Sequence, residues 1–218
     1  QENEPRNLLP AALQTEAEEP AEIIPVKQPR LWSEAIPSSG KVPVRVVPQA
    51  RGMEVDLEFA ADIPGVVFRR HDAVWIAFPA DGSFDLEGLR QATGTRIDEI
   101  RSDSGMALRL FLPRDLLIKV NSDGRHWHIS IGNDGELADR QIKPTRIAGD
   151  GGSGLEAVVE GSGTVFSLED PEIGDRLIMV PAFNPSTALV QSLSFVDASL
   201  PVTAHGLVVA PRTDDLQV

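Results

Sequence analysis

The sequence predicts an all-β protein, an antiparallel β-sandwich or β-meander carrying an extended Pro-rich N-terminal arm and a second, small β segment. Three observations carry this. From Lys41 onward, short apolar runs alternate with turn clusters at intervals of about 8 to 12 residues, the spacing of sandwiches and barrels. Only one stretch in that region, "FDLEGLRQATG" at 84–94, reads as a helix, with Asp85 and Glu87 early and Gly94 as a stop. The first 50 residues carry eight of the 17 prolines, too closely spaced for more than a short helix around residues 8–19.

The arm, residues 1–40, is acidic, but it also holds the apolar knots "LLPAAL", "EIIPV" and "RLW". A pure spacer has no need of such knots, and proline lowers the ordering cost of docking. Leu8, Leu9, Leu13, Ile23, Ile24, Leu31 and Trp32 are therefore expected to anchor the arm on another surface, with Trp32 foremost.

The β domain at 41–131 has expected strands at 44–47, 53–60, 65–70, 73–78, 96–101, 106–112, 116–120 and 126–131. Two segments in it have the same length and plan. "GMEVDLEFAADIPGVVFRRHDAVWIAFP" and "GMALRLFLPRDLLIKVNSDGRHWHISIG" each read strand, break, strand, polar turn and Trp-bearing strand, with the tryptophans one position out of step. Internal duplication and convergence of two meanders both fit. Residues 132–154, rich in Gly and Asp, read as a linker or crossover. The second β segment, 155–218, has expected strands at 155–160, 164–168, 175–182, 188–198 and 205–211, with "DPEIGD" as a turn.

Composition limits function. A formal charge of −13 and a pI near 4.7 argue against nucleic acid and anionic membrane surfaces, whose binding needs dense Lys and Arg. No window reaches 18 consecutive apolar residues, so no helical span is expected. The absence of cysteine removes disulfides, thiolate ligands and cysteine nucleophiles, and suits an oxidising compartment such as a bacterial periplasm. Beginning at Gln1 without an initiator Met, the chain reads as a processed mature protein, signal peptide removed, or a trimmed one.

"GRHWHISIG" sets two of the four histidines around a tryptophan. A strand period of two puts His126, His128 and Ser130 on one face and Trp127, Ile129 and Ile131 on the core face. Zinc would need three or four ligands, so a solvated face is expected and no metal or cofactor is assigned. In "AVWIAF" both faces are apolar, which suits either a central strand between two layers or an aromatic contact at Trp75 for a partner or glycan. "FRRHD" places Arg69 and Arg70 near a tight turn, a charged hairpin tip or an anion contact. Ser153 and Ser162 sit among glycines without the spacing of a nucleophile elbow, and spacing nominates no partner for His205. Adjacent carboxylates such as Asp98 and Glu99 point to opposite sides of a strand and make no catalytic pair.

On "MEVDLEFAADIPGVVFRRHDAVWIAFP", the stretch 42–131 resembles an AMIN-type periplasmic β domain, although the usual "rlvlDl"-like ending stands here as "AVWIAFP". The resemblance implies a noncatalytic module that places envelope proteins on peptidoglycan or within secretion assemblies. "VFRRHDAVWIAF", "DPEIGDRLIMVPAF" and "AHGLVVAP" are similar to the β-rich front part of large exported tetratricopeptide-repeat proteins of alphaproteobacteria, which implies a scaffold with helical repeats beyond Val218. The expected function is a periplasmic or otherwise exported envelope scaffold acting through protein partners, not an enzyme. Expected partner-binding residues are Trp32, Ile23, Ile24, Leu31, Trp75, Arg69 and Arg70. The alternative is a peptidoglycan-binding or other glycan-binding module using Trp75, Arg69 and Arg70; a hydrolase using Ser162 or His205 is the third reading.

Overall fold

A computed structural model describes residues 32–87, 89, 94–133, 138–149, 152–213, 216 and 218. Of the expected arm anchors, Leu8, Leu9, Leu13, Ile23, Ile24 and Leu31 lie outside these residues. The described strands are β1 (Lys41–Pro48), β2 (Met53–Glu58), β3 (Val66–Arg70), β4 (Ala73–Phe78), β5 (Ser83–Asp85), β6 (Ile97–Ser102), β7 (Gly105–Phe111), β8 (Leu117–Ser122) and β9 (His126–Gly132). They continue with β10 (Arg140–Gln141), β11 (Thr145–Gly149), β12 (Gly152–Glu156), β13 (Phe166–Glu169), β14 (Arg176–Val180), β15 (Thr187–Ala188), β16 (Leu193–Ser194), β17 (Ala198–Leu200), β18 (Thr203–His205) and β19 (Leu207–Pro211).

The protein is all-β, and its main strands form three five-stranded sheets. Sheet I has the order β5-β1-β2-β9-β8, sheet II β18-β3-β4-β7-β6 and sheet III β13-β14-β19-β17-β16. Their stacking follows from strand alternation. In sheet I, Val55 and Leu57 of β2 and Trp127, Ile129 and Ile131 of β9 face a core shared with Val74, Ile76 and Phe78 of β4 and Leu108 and Leu110 of β7. The opposite face of sheet II, with Val66, Phe68, Trp75 and Ala107, packs on Phe166, Leu168, Leu177, Met179 and Val208 of sheet III. Sheet II is therefore the middle layer, which is why every residue of β4 is buried.

The two similar 28-residue segments have complementary placements. The first gives one strand, β2, to sheet I and a hairpin, β3–β4, to sheet II; the second gives β7 to sheet II and the hairpin β8–β9 to sheet I. The units then join edge to edge through β2–β9 and β4–β7. The one-position offset of their tryptophans also has a consequence: a shift of one residue on a strand turns a side chain to the other face. Trp127 accordingly fills the core between sheets I and II, and Trp75 the core between sheets II and III.

Three expectations need correction. Phe84 and Asp85 do not begin a helix but belong to β5, which pairs parallel with β1 through Val42 and Phe84. A buried Phe84 ring and an N–H donated to Glu99 Oε1 at 2.7 Å hold that strand; residues 88 and 90–93 lie outside the described part. The segment 132–154, expected as a linker, contains β10, β11 and most of β12, the last two paired as a hairpin from Thr145↔Glu156 to Gly149↔Gly152. The expected strand at 188–198 is broken into β15, β16 and the start of β17.

The later segment also enters the earlier sandwich. β18 adds to β3 through Thr203↔Phe68 and His205↔Val67, extending sheet II.

Candidate interaction surface

The outer face of sheet III is apolar like its inner face, because β14 and β19 alternate apolar residues toward both sides. Leu177, Met179 and Val208 point inward to sheet II, whereas Ile178, Leu207 and Val209 form an outer cluster with Ile142, Leu189, Ala198 and Leu200. The cover over this cluster is partial. Between it, the β11–β12 hairpin and the 195–198 segment runs an open groove of about 750 Å³, lined by residues including Leu155, Val159, Val180, Phe195, Val196 and Leu207.

Val196 at the groove is 86% exposed, Leu155 of the hairpin, also lining it, is exposed, and Val158, between the lining residues Ala157 and Val159, is 72% exposed. Large apolar side chains gathered at one surface are costly to leave in water, and such patches mark contact sites. Arg146 lines the same groove, its guanidinium 5.7 Å from the Phe195 ring centroid. The site therefore offers an apolar floor with one cation, Arg146, and one carboxylate, Asp197, in its lining. Its periodicity was readable in "RLIMV" and "LVVAP", but the incomplete cover depends on chain folding over sheet III and has no local signal.

Of the expected partner-binding residues, Ile23, Ile24 and Leu31 lie outside the described residues, and Trp32, Trp75, Arg69 and Arg70 do not line this groove. Trp32 is half-buried: its backbone N–H donates to Pro79 O at 3.0 Å, and its ring meets Phe183 edge-on at 5.6 Å. This end of the arm rests on the β body. Trp75 is fully buried, stacked on Phe68 at 5.5 Å, so it presents no surface to a glycan or partner. Arg69 donates to the carbonyls of Leu112 and Leu116, at 3.4 and 2.9 Å. Burial pushes the Arg69 guanidinium below its ordinary pKa, against the opposing pull of Asp115.

Arg70 belongs to a buried ionic cluster that ties sheet II to sheet III. On β3 and β7, Arg70 and Arg109 share the sheet-III-facing side with Phe68 and Ala107. Asp170, at the β13–β14 turn, sets Oδ2 3.3 Å from Arg70 Nε and Oδ1 3.8 Å from Arg109 Nη1. Asp175 takes Arg70 at 2.5 Å and Glu172 takes Arg109 at 2.6 Å, while Arg109 also lies 5.0 Å from the Trp75 ring centroid. Arg70 thus fastens sheet II to sheet III, Arg69 ties β3 to the 112–116 loop, and the exposed hairpin tip is His71–Asp72. "DPEIGD" makes the expected turn and supplies all three carboxylates.

His126 and His128 lie on the outer face of sheet I. His128 Nδ1 lies 2.6 Å from Asp56, and His126 Nδ1 lies 3.0 Å from Asp123. The hydrogen bonds and charge of Asp123 raise the His126 pKa, and the His126 N–H and ring hold Asp123 down to about 2. Among the described residues no cluster of three or more His, Cys, Asp or Glu could hold a metal ion.

His205 is buried, its ring edge-on to Trp127 at 5.2 Å and its Nε2 2.8 Å from Ala182 O. Burial lowers its pKa. With Nε2 on a carbonyl and Nδ1 without a hydrogen-bond partner, the ring is not set against Ser162, which borders the groove. The Ser153 backbone pairs with Ala148 in the β11–β12 hairpin. Among the described residues no helix is long and apolar enough to cross a membrane. No family model, curated protein or solved structure matches the chain.

Proposed function

We propose that the chain is a noncatalytic assembly module of the cell envelope that works through protein–protein contacts, with the groove on the outer face of sheet III as its interface. The observation that carries this reading is the exposed Val196 on a groove whose floor includes Val180 and Leu207, with the exposed Val158 between two residues, Ala157 and Val159, that line it. A globular chain of net charge −13 keeps such a surface in water at a free-energy cost that a partner would remove. An exported compartment is supported by the cysteine-free composition. The groove's lining is predominantly apolar, which suits the side chains of a protein segment.

The test is photo-cross-linking in cells of the source organism. A photoreactive residue at Val196 should give a discrete heavier adduct that Val158→Asp abolishes, while one at Leu117, half-exposed on sheet I, should give none. Equal adducts from both positions, or none from Val196, would overturn the proposal.

A further inference from the structure

We propose that His126 and His128 form an open chelate on the outer face of sheet I for a divalent transition-metal ion, Ni2+ or Cu2+ in preference to Ca2+ or Mg2+. The inference goes beyond the groove and does not depend on it.

Both rings are prepared in the same way. They stand two residues apart on β9, so they share a face and rise from positions about 7 Å apart. His128 Nδ1 lies 2.6 Å from Asp56 Oδ1, and His126 Nδ1 lies 3.0 Å from Asp123 Oδ2. An ionised carboxylate only accepts, so the proton of the neutral ring sits on Nδ1 and the lone pair of Nε2 is left for another partner. Metal-bound imidazoles are held in this manner: one nitrogen donates to a carboxylate, which fixes the tautomer and makes the other nitrogen a better ligand. Glu58 Oε1 lies 3.7 Å from His126 Nε2, beyond hydrogen-bond distance. The two imidazole side chains are 58% and 45% exposed, so an ion can reach both.

The strands that carry the pair are fixed. β2 sets Glu58 opposite His126 and Asp56 opposite His128, and the pair between them, Leu57 and Trp127, is buried in the core. Charged residues on and beside these rows are Glu54, Asp56, Glu58 and Asp123 against Arg45, Lys119 and Arg125, so no net positive charge repels a cation. Two imidazoles fall short of the four ligands of a closed zinc site; water completes the shell and the ion exchanges. Imidazole suits copper and nickel, whose tetragonal shells combine nitrogen with water, whereas Ca2+ and Mg2+ take shells of oxygen.

The test is calorimetric titration of the full chain with NiCl2 alone at about pH 8, above the ordinary imidazole pKa. One ion should bind per chain. His126→Ala and His128→Ala should each abolish that binding, and Asp56→Asn should weaken it about tenfold, the usual cost of losing the carboxylate behind a ligand. His71→Asn, a change that the positive φ of 54° at this exposed hairpin tip tolerates, should leave it unaltered. No stoichiometric binding of Ni2+, binding that survives His128→Ala, or displacement of Ni2+ by equimolar CaCl2 would overturn the site.

Discussion

Replacing Asp170 by Asn tests whether the ionic cluster fastens sheet III to sheet II. The side chains of Asp170 and Arg109 are each 2% exposed, and that carboxylate lies between two guanidiniums. Asn keeps the shape and the Oδ1 acceptor for the Glu172 N–H, 3.0 Å away, so charge is the main loss. Removing one partner of a buried pair costs about 3–5 kcal/mol, and the lower end applies because Asp175 and Glu172 remain on the arginines. For a chain of this size, about 3 kcal/mol corresponds to a Tm lower by about 6–12 °C. Urea unfolding should show the loss as a lower midpoint at unchanged slope. The control is Arg51→Ala, whose pair with Asp115 is 63% and 60% exposed and should cost under about 1 kcal/mol. If Asp170→Asn costs no more than this control, the cluster is solvated and the fastening argument is refuted.

Trp127→Ala should destabilise by about 3–5 kcal/mol, the cost of truncating a buried aromatic; near-neutral urea unfolding would place the ring at the surface. Gly105→Ala should cost about 1–3 kcal/mol in the same assay, since the new Cβ would lie 2.4 Å from Phe166 Cδ2 and 2.8 Å from the Phe78 carbonyl oxygen. His205, with its folded pKa depressed by burial, favours the unfolded state once pH falls below about 6.5, because the unfolded ring then binds the proton first. His126 acts oppositely: its stabilisation is present below about 6.5 and is lost as pH rises through its raised pKa. His205→Gln, which keeps a donor for Ala182 O, should therefore lose less stability than wild type between pH 6.5 and 5, and equal losses would contradict the assignment.

Much of the β domain was legible because alternation is a local signal. "HWHISI" declared its core face, and the buried side of Trp127 followed from a period of two. The layer that buries Trp75 was not legible, since "AVWIAF" reads the same whether its second face meets a sheet or a partner. Nor was the use of Arg70: its carboxylates lie 100 and 105 residues further along the chain, and no spacing rule joins them. The helix at 84–94 failed at its start because parallel pairing of Phe84 with Val42 is a long-range contact that overrides local capping signals. Gly- and Asp-rich 132–154 reads as a linker from composition alone, which carries no sign of the long antiparallel pairing of β11 with β12.

The central claim is that the outer face of sheet III is a protein-contact surface, and the most direct measurement pairs assembly with stability. Val158 and Val196 are exposed, so Val158→Asp with Val196→Asp should leave the Tm within about 2 °C of wild type. In native extracts the wild-type chain of 23.6 kDa should migrate in a larger complex on a native gel, and the double variant as the free chain. A variant that keeps the wild-type complex at unchanged Tm would contradict the account.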